Sequence, residues 1–314
     1  MMEQARSLLR DRVLPHLGID DASFRKKAAY VCSMVRRLIS AYVGLAEEDD
    51  RDHLGRKRVD SAGELMLSLF TYEFKNYIEG AKRLLARRLV RRGGGELGET
   101  QVIFDDRIIT GSLRHAFSTG QWGRTRRGEV IRCGVAQVLK RDTTYFATLS
   151  HLRRIAHPVT PSSKSVKLRL LHNTQFGMVC PSETPEGAKI GVVKNLALLA
   201  KISINLTPGQ TERLLESIRE SGCLTIFDVN VSVAGSEGET RVVVDGNFIG
   251  STAAPLKLAH YLRLLRRTAV LSDSLSISLD YANKEIRIFT DSGRLMRPLL
   301  VVEDDALKLT PRDL

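Results

Sequence analysis

Apolar residues recur at helical spacing through Phe24–Leu45, at Ala28, Val31, Met34, Val35, Leu38, Ala41 and Tyr42, with basic residues between them. That period predicts an amphipathic helix. The acidic run Glu47–Asp52 ends it, and Asp50–Arg58 (DRDHLGRKR) forms a charged connection. Ser61 and Glu64 stand in a capping-box pattern, which predicts a second, longer helix running to about Leu89. Its last part, Lys82–Arg92 (KRLLARRLVRR), places positive charge where the helix dipole is negative. The glycines of Arg91–Gly98 then break the pattern, as a mobile loop or a place of close backbone approach.

From Gly123 to Leu171 the chain is basic, glycine-punctuated and poor in apolar periodicity. Two loops are expected there, Arg124–Arg132 and the proline- and serine-rich Ala156–Lys167. His172–Gly187 reads HNTQFGMVCPSETPEG. Pro181, Pro185 and Gly187 exclude a helix, so the backbone is expected to run as a rigid loop presenting Ser182, Glu183, Thr184 and Glu186. The apolar run Ile190–Leu199 is expected to anchor it in a core. Beyond Ser203 short β-like runs take over: Cys223–Phe227, Val229–Val233, Arg241–Asp245, Ser274–Asp280 and Glu285–Thr290. Asp245–Gly246 signals a hairpin and Tyr281–Lys284 a turn, while Pro255–Arg267 between them is helical with a basic edge. The fold class that follows is α+β, in two or three modules.

The 314-residue chain carries 48 basic and 36 acidic side chains, a formal charge of +12. A pI near 9.7 favours a polyanionic partner, since cations docked on phosphates release counterions. A solvated basic surface or a contact with another subunit is the alternative. Cys32, Cys133, Cys180 and Cys223 form no C-x-x-C pair, so reduced thiols are expected rather than a zinc site or a disulfide framework. The amino terminus lacks the pattern of a signal peptide, and no apolar run approaches the roughly 20 residues of a membrane span. An intracellular protein without a membrane partner is the expectation.

Candidate chemistry is sparse. Acidic clusters at Asp49–Asp52, Asp105–Asp106 and Glu303–Asp305 each follow a turn or end an element, the pattern of solvated surface charge, and no metal site is predicted. Arg153 and Arg154 follow an apolar-aromatic stretch, and Arg169 precedes His172 and Asn173. Such arginines grip phosphate oxygens bidentately, or pair with acidic neighbours in an interface. Glu183 and Glu186 could exchange protons if desolvated, or one could cap neighbouring N–H groups in a structural turn. His172 is expected to pack, Asn173 and Thr174 to bond a sugar, the backbone or their own turn. Trp122, the sole tryptophan, either stacks on a base or anchors its loop in a core.

Seven phrases in order carry a resemblance: Asp49–Gly63 (DDRDHLGRKRVDSAG), Leu113–Gly123 (LRHAFSTGQWG), Gly134–Arg141 (GVAQVLKR), Thr148–Arg154 (TLSHLRR), Leu171–Gly187, Val192–Leu199 (VVKNLALL) and Glu285–Asp305. Together they resemble the second-largest, β-type subunit of multi-subunit DNA-directed RNA polymerases, in the eukaryotic RNA polymerase II and large-DNA-virus branch. Coverage is nearly complete, weakest in the first forty residues and around Lys201–Thr240. The resemblance implies a division into lobe remainder (1–56), second half of the protrusion (57–120), fork (121–203), external 1 domain (204–284) and a truncated start of external 2 (285–314). It also implies a fragment of a longer subunit, or one piece of a split gene.

The function so implied is to line the active-centre cleft and position template DNA, the RNA 3′ end and the incoming NTP. Arg153, Arg154, Lys167, Arg169, Asn173, Glu183 and Glu186 would position nucleic acid or NTP. Arg124, Arg126 and Arg127 would lie in the first fork loop and Lys164 in the second. The family's D-x-D-x-D loop belongs to the largest subunit and does not occur here, so the resemblance assigns Mg²⁺ to that partner and no cofactor or catalytic residue to this chain. Expected partners are the largest and other polymerase subunits, DNA template and nascent RNA. The expected location is the nucleus, or a viral factory or virion. Two departures stand out: Leu168-Arg169-Leu170 replaces the family's usual P-R-Q, and Pro158–Val166 lacks its usual glycine- and charge-rich character. The alternative is a free-standing, non-catalytic nucleic-acid-binding or regulatory protein.

Overall fold

The computed structural model describes residues 2–91, 107–124, 130–139, 144–159, 164–222, 224–225, 239–303 and 305–309. The glycine-rich break after Arg91, Asp105–Asp106, Arg126, Arg127 and the run Val229–Val233 lie outside them. In chain order the helices are Met2–Asp11 (α1), Phe24–Tyr42 (α2), Ala62–Arg91 (α3), Arg107–Thr119 (α4), Tyr145–Leu152 (α5), Pro208–Glu220 (α6) and Pro255–Arg267 (α7). The strands are Trp122–Arg124 (β1), Val130–Arg132 (β2), Arg154–Ala156 (β3), Val193–Asn195 (β4), Lys201–Ile202 (β5), Leu224–Thr225 (β6), Thr240–Val244 (β7), Asn247–Thr252 (β8), Ser276–Asp280 (β9), Glu285–Phe289 (β10), Leu295–Met296 (β11), Val302–Glu303 (β12) and Ala306–Leu307 (β13). Helices and small sheets interspersed in this way make the chain α+β, as the sequence predicts.

Two compact units result, Met1–Lys57 with Ile202–Arg294, and Arg58–Lys201 with Leu295–Leu314. The first is built on a five-stranded sheet of order β6-β8-β7-β10-β9, in which only β7 and β10 run parallel among the described pairs. Asp245 and Gly246 turn β7 into β8 with φ of 46° and 85°, the left-handed pair that a tight hairpin requires. The Asp245 carboxylate accepts the Thr290 N–H at 2.8 Å, tying that hairpin to the end of β10. Alternate residues of β7, β9 and β10 (Val242, Val244, Ile277, Ile286, Ile288) meet Leu258, Ala259 and Leu262 of α7 and Leu214 and Ile218 of α6. Because β10 is an inner strand, residues on both sides of the expected 284/285 boundary share one core.

The amino-terminal segment joins the same unit through charge. Glu285, only 3% exposed, is met by Arg37 of α2 at 2.6 Å and by Arg241 and Arg287 at 2.9 Å. A carboxylate this buried is tolerable because three guanidinium groups replace its lost water. Buried Lys27 donates to the Leu9 and Arg10 carbonyls at 3.0 and 2.7 Å, closing the C-terminal end of α1. Much of the apolar stripe that predicts α2 is left uncovered by the described residues: Met34, Leu38 and Tyr42 are 55%, 70% and 91% exposed.

The second unit centres on Leu69 of α3, Ala116 of α4 and Trp122 of β1. Trp122 is buried, and its indole N–H donates to the Leu65 carbonyl at 2.7 Å, so it anchors β1 and is closed to a stacking base. The ends of the expected Arg124–Arg132 loop pair as the antiparallel hairpin β1–β2.

Leu262→Ala should destabilise the chain by about 2–5 kcal/mol in urea unfolding, since this side chain is fully buried. Burial alone would raise the Asp280 carboxyl, but its bonds to the Asn283 side chain and N–H, with Arg287 and Arg37 nearby, outweigh it and leave the group below its ordinary value. A depressed carboxyl contributes stability above its unfolded pKa and loses it as pH falls through the folded one. Asp280→Asn should therefore make the acid-side decline of the urea midpoint shallower.

Candidate functional site

The glutamate turn hangs between strand β4 and two upstream segments. β3 pairs antiparallel with β4, Arg154 opposite Asn195, and an isolated bridge joins Val179 to Leu196. Cys180 N–H bonds the Asn195 carbonyl at 2.9 Å and Ala197 N–H the Met178 carbonyl at 3.0 Å. Between these rails, Pro181–Gly191 loops out. Its backbone is irregular, so several of its polar groups are answered by side chains. Thr184 Oγ1 donates to the Val193 carbonyl at 2.9 Å and accepts the Gly191 N–H at 3.0 Å. Asn195, 2% exposed, donates from Nδ2 to the Glu183 carbonyl at 3.0 Å.

Each arginine predicted from the sequence has a distinct place. Arg169 donates from Nη1 to the Ala188 and Ile190 carbonyls at 2.9 and 2.7 Å. Gly191, at φ 67°, packs directly on the Arg169 backbone, where a Cβ would collide with its Cα, Cβ and carbonyl oxygen. Arg153 donates from Nη2 to the Ala197 carbonyl and to the Leu198 carbonyl at 3.3 Å. Arg154, Lys164 and Lys167 are exposed and make no ion pair among the described residues. The Arg124 side chain, with Arg126 and Arg127, lies outside the description.

The glutamates differ. Both are exposed, but the Glu183 carboxylate accepts the Ser150 hydroxyl of α5, whereas Glu186 opens the short Gly187–Lys189 turn without a side-chain cap. Among the described residues neither caps an N–H group; Thr184 does that work. His172 serves locally, its Nδ1 accepting the Thr174 N–H at 3.2 Å, and the Asn173 side chain is exposed. Phe176 follows, with Arg297 stacked 5.1 Å from its ring centroid. The expected anchor is shorter than the apolar run: Val192, Lys194 and Asn195 are buried, while Leu198 and Leu199 are 91% and 71% exposed.

Sequence reasoning missed Ser150, Asn195 and Gly191. Asn195 had a signal, a polar residue inside an apolar run, which when buried requires a hydrogen-bond partner. Among the described residues no group of three or more His, Cys, Asp or Glu is placed to hold a metal ion, and no helix is long and apolar enough to cross a membrane. What the arrangement can do is hold a polar surface in one shape.

Three family models match in order: RNA polymerase Rpb2 domain 2 over residues 2–60, domain 3 over 137–202 and domain 4 over 242–303. The chain belongs to the RNA polymerase Rpb2 family. The domain 3 match holds the whole pinned loop, from Arg153 to Ala200. Similar relatives include the RNA polymerase II subunit RPB2 of Encephalitozoon cuniculi, 39% identical over 99% of this chain and 26% of its own length. That of Schizosaccharomyces pombe is 38% identical over 97% and 24%. The archaeal subunit Rpo2 of Sulfolobus acidocaldarius is 36% identical over 96% and 27%. The chain thus spans about a quarter of the length of the relatives it matches.

The Ser182 hydroxyl, 3.5 Å from Cys180 Sγ, with the N–H groups of Glu183 and Ser182, holds the Cys180 thiol below its ordinary value. More thiolate is then present at neutral pH. Ser182→Ala should slow alkylation of Cys180 several-fold, read by mass spectrometry of labelled peptides; an unchanged rate would contradict this.

Proposed function

We propose that this chain is part of the second-largest subunit of a DNA-directed RNA polymerase and lines its active-centre cleft. Family membership supports the subunit reading over a free-standing nucleic-acid-binding protein. The observation that carries the positional part is the pinned loop: Thr184, Asn195, Ser150 and Arg169 fix Pro181–Gly191 from several sides. A surface so fixed contributes to catalysis by orienting reactants and placing charge, without bonding to the reacting atoms.

In this reading Arg154, Lys164 and Lys167 supply positive charge toward the nucleic-acid backbone, and Asn173 and Glu186 present polar groups beside it. The stretch 121–203 acts as the fork, flanked by lobe and protrusion parts before it and external domain parts after it. Mg²⁺ belongs to the largest subunit, so this chain alone is inactive. Its partners are that subunit, the other polymerase subunits, template DNA and nascent RNA, in the nucleus or, for a viral source, the viral factory.

The test uses polymerase assembled with this chain. Each lysine or arginine on a phosphate adds about 0.9 to the slope of log affinity against log salt on duplex. Lys167→Ala should lower that slope by about one and slow elongation. An unchanged slope with normal elongation removes the assignment, as does failure of the chain to assemble with a largest subunit.

A further inference from the structure

We propose that Arg169 is a positioning residue that clamps the glutamate loop by its backbone carbonyls, so that the Val166–Leu170 turn and the loop move as one body, while Arg153 holds the segment that follows β4. Arg169 reaches two carbonyls two residues apart, Ala188 and Ile190, through the two N–H donors of its Nη1. Arg153 reaches two neighbouring carbonyls, Ala197 and Leu198, in the segment that follows β4. Both arginines are also held through their main chains. Leu196 N–H bonds the Arg153 carbonyl at 3.0 Å, and Arg169 N–H closes its own turn on the Val166 carbonyl at 2.9 Å. Arg153 Nε is buried, out of reach of a phosphate.

Gly191 completes the clamp. With no Cβ and φ at 67°, it lets the loop backbone lie against the Arg169 backbone. No slack is left between them: a shift of the Val166–Leu170 turn pushes Gly191 directly and pulls Ala188 and Ile190 through the guanidinium. Lys167 sits in that same turn and is exposed, so force on Lys167 reaches the glutamate loop through Arg169. These contacts all lie within residues 150–200.

The clamp is tested on the 314-residue chain itself; only its consequence for nucleotide addition rests on the polymerase reading. The reporters are the amides of Ile190, Gly191 and Val192, bonded to Gly187 O at 3.1 Å, Thr184 Oγ1 at 3.0 Å and Lys189 O at 3.1 Å. Arg169→Ala, which removes two charge-assisted hydrogen bonds, should speed their hydrogen exchange by about tenfold or more, while the five-stranded sheet keeps its protection. Gly191→Ala, which leaves every charge in place, should do the same, and serves if Arg169→Ala fails to fold. Arg169→Ala should leave the salt slope of nucleic-acid binding unchanged. Unaltered exchange in either folded variant, or a slope lowered by about one in Arg169→Ala, overturns the clamp. In assembled polymerase Arg169→Ala should lower kcat for nucleotide addition with KM for NTP little changed. Faster exchange with normal addition would keep the clamp and overturn its link to the reaction.

Discussion

Every buried amide and carbonyl needs a partner, and between Met178 and Ala200 the irregular backbone supplies only some of its own. That demand organises the second unit. Strand β4 is three residues long, enough for one short pairing with β3. Beyond it, side chains close the account: Thr184 bridges Gly191 and Val193, Asn195 takes the Glu183 carbonyl, and Arg169 and Arg153 take two carbonyls each. Prolines at 181 and 185 remove two amides that would otherwise need acceptors. The loop is rigid because polar groups, rather than apolar contacts, hold it.

Charge is divided between two uses. Around Glu285 three arginines meet one buried carboxylate and join the amino-terminal helix to the sheet, so their charge is spent within the fold. Around the loop, Arg154, Lys164 and Lys167 remain exposed with no ion pair among the described residues. The net charge of +12 is therefore meaningful only where carboxylates do not answer it. Arg153 and Arg169 instead bond backbone carbonyls within the chain.

Periodicity made α2, α3 and α7 legible, and turn chemistry made Asp245–Gly246 legible, because each signal is local. Helix α6 escaped, since Leu214 and Ile218 lie scattered among charged neighbours and its burial comes from distant strands. The eight-residue α5 lacks the length to show a period. Within the site, the arginines and glutamates were visible as types, but their acceptors were not: Ala188, Ile190, Ala197 and Leu198 act through carbonyls that every residue shares. The apolar run Ile190–Leu199 misled in its second half because the chain turns at Ala197–Ala200 and leaves Leu198 and Leu199 outside.

The proposed cleft-lining role requires the glutamate loop to lie beside the growing transcript in an assembled polymerase. A photoreactive base at the RNA 3′ end tests this directly. Crosslinked peptides should map within residues 150–191. Crosslinks confined to other parts of the chain, or to other subunits alone, would contradict it.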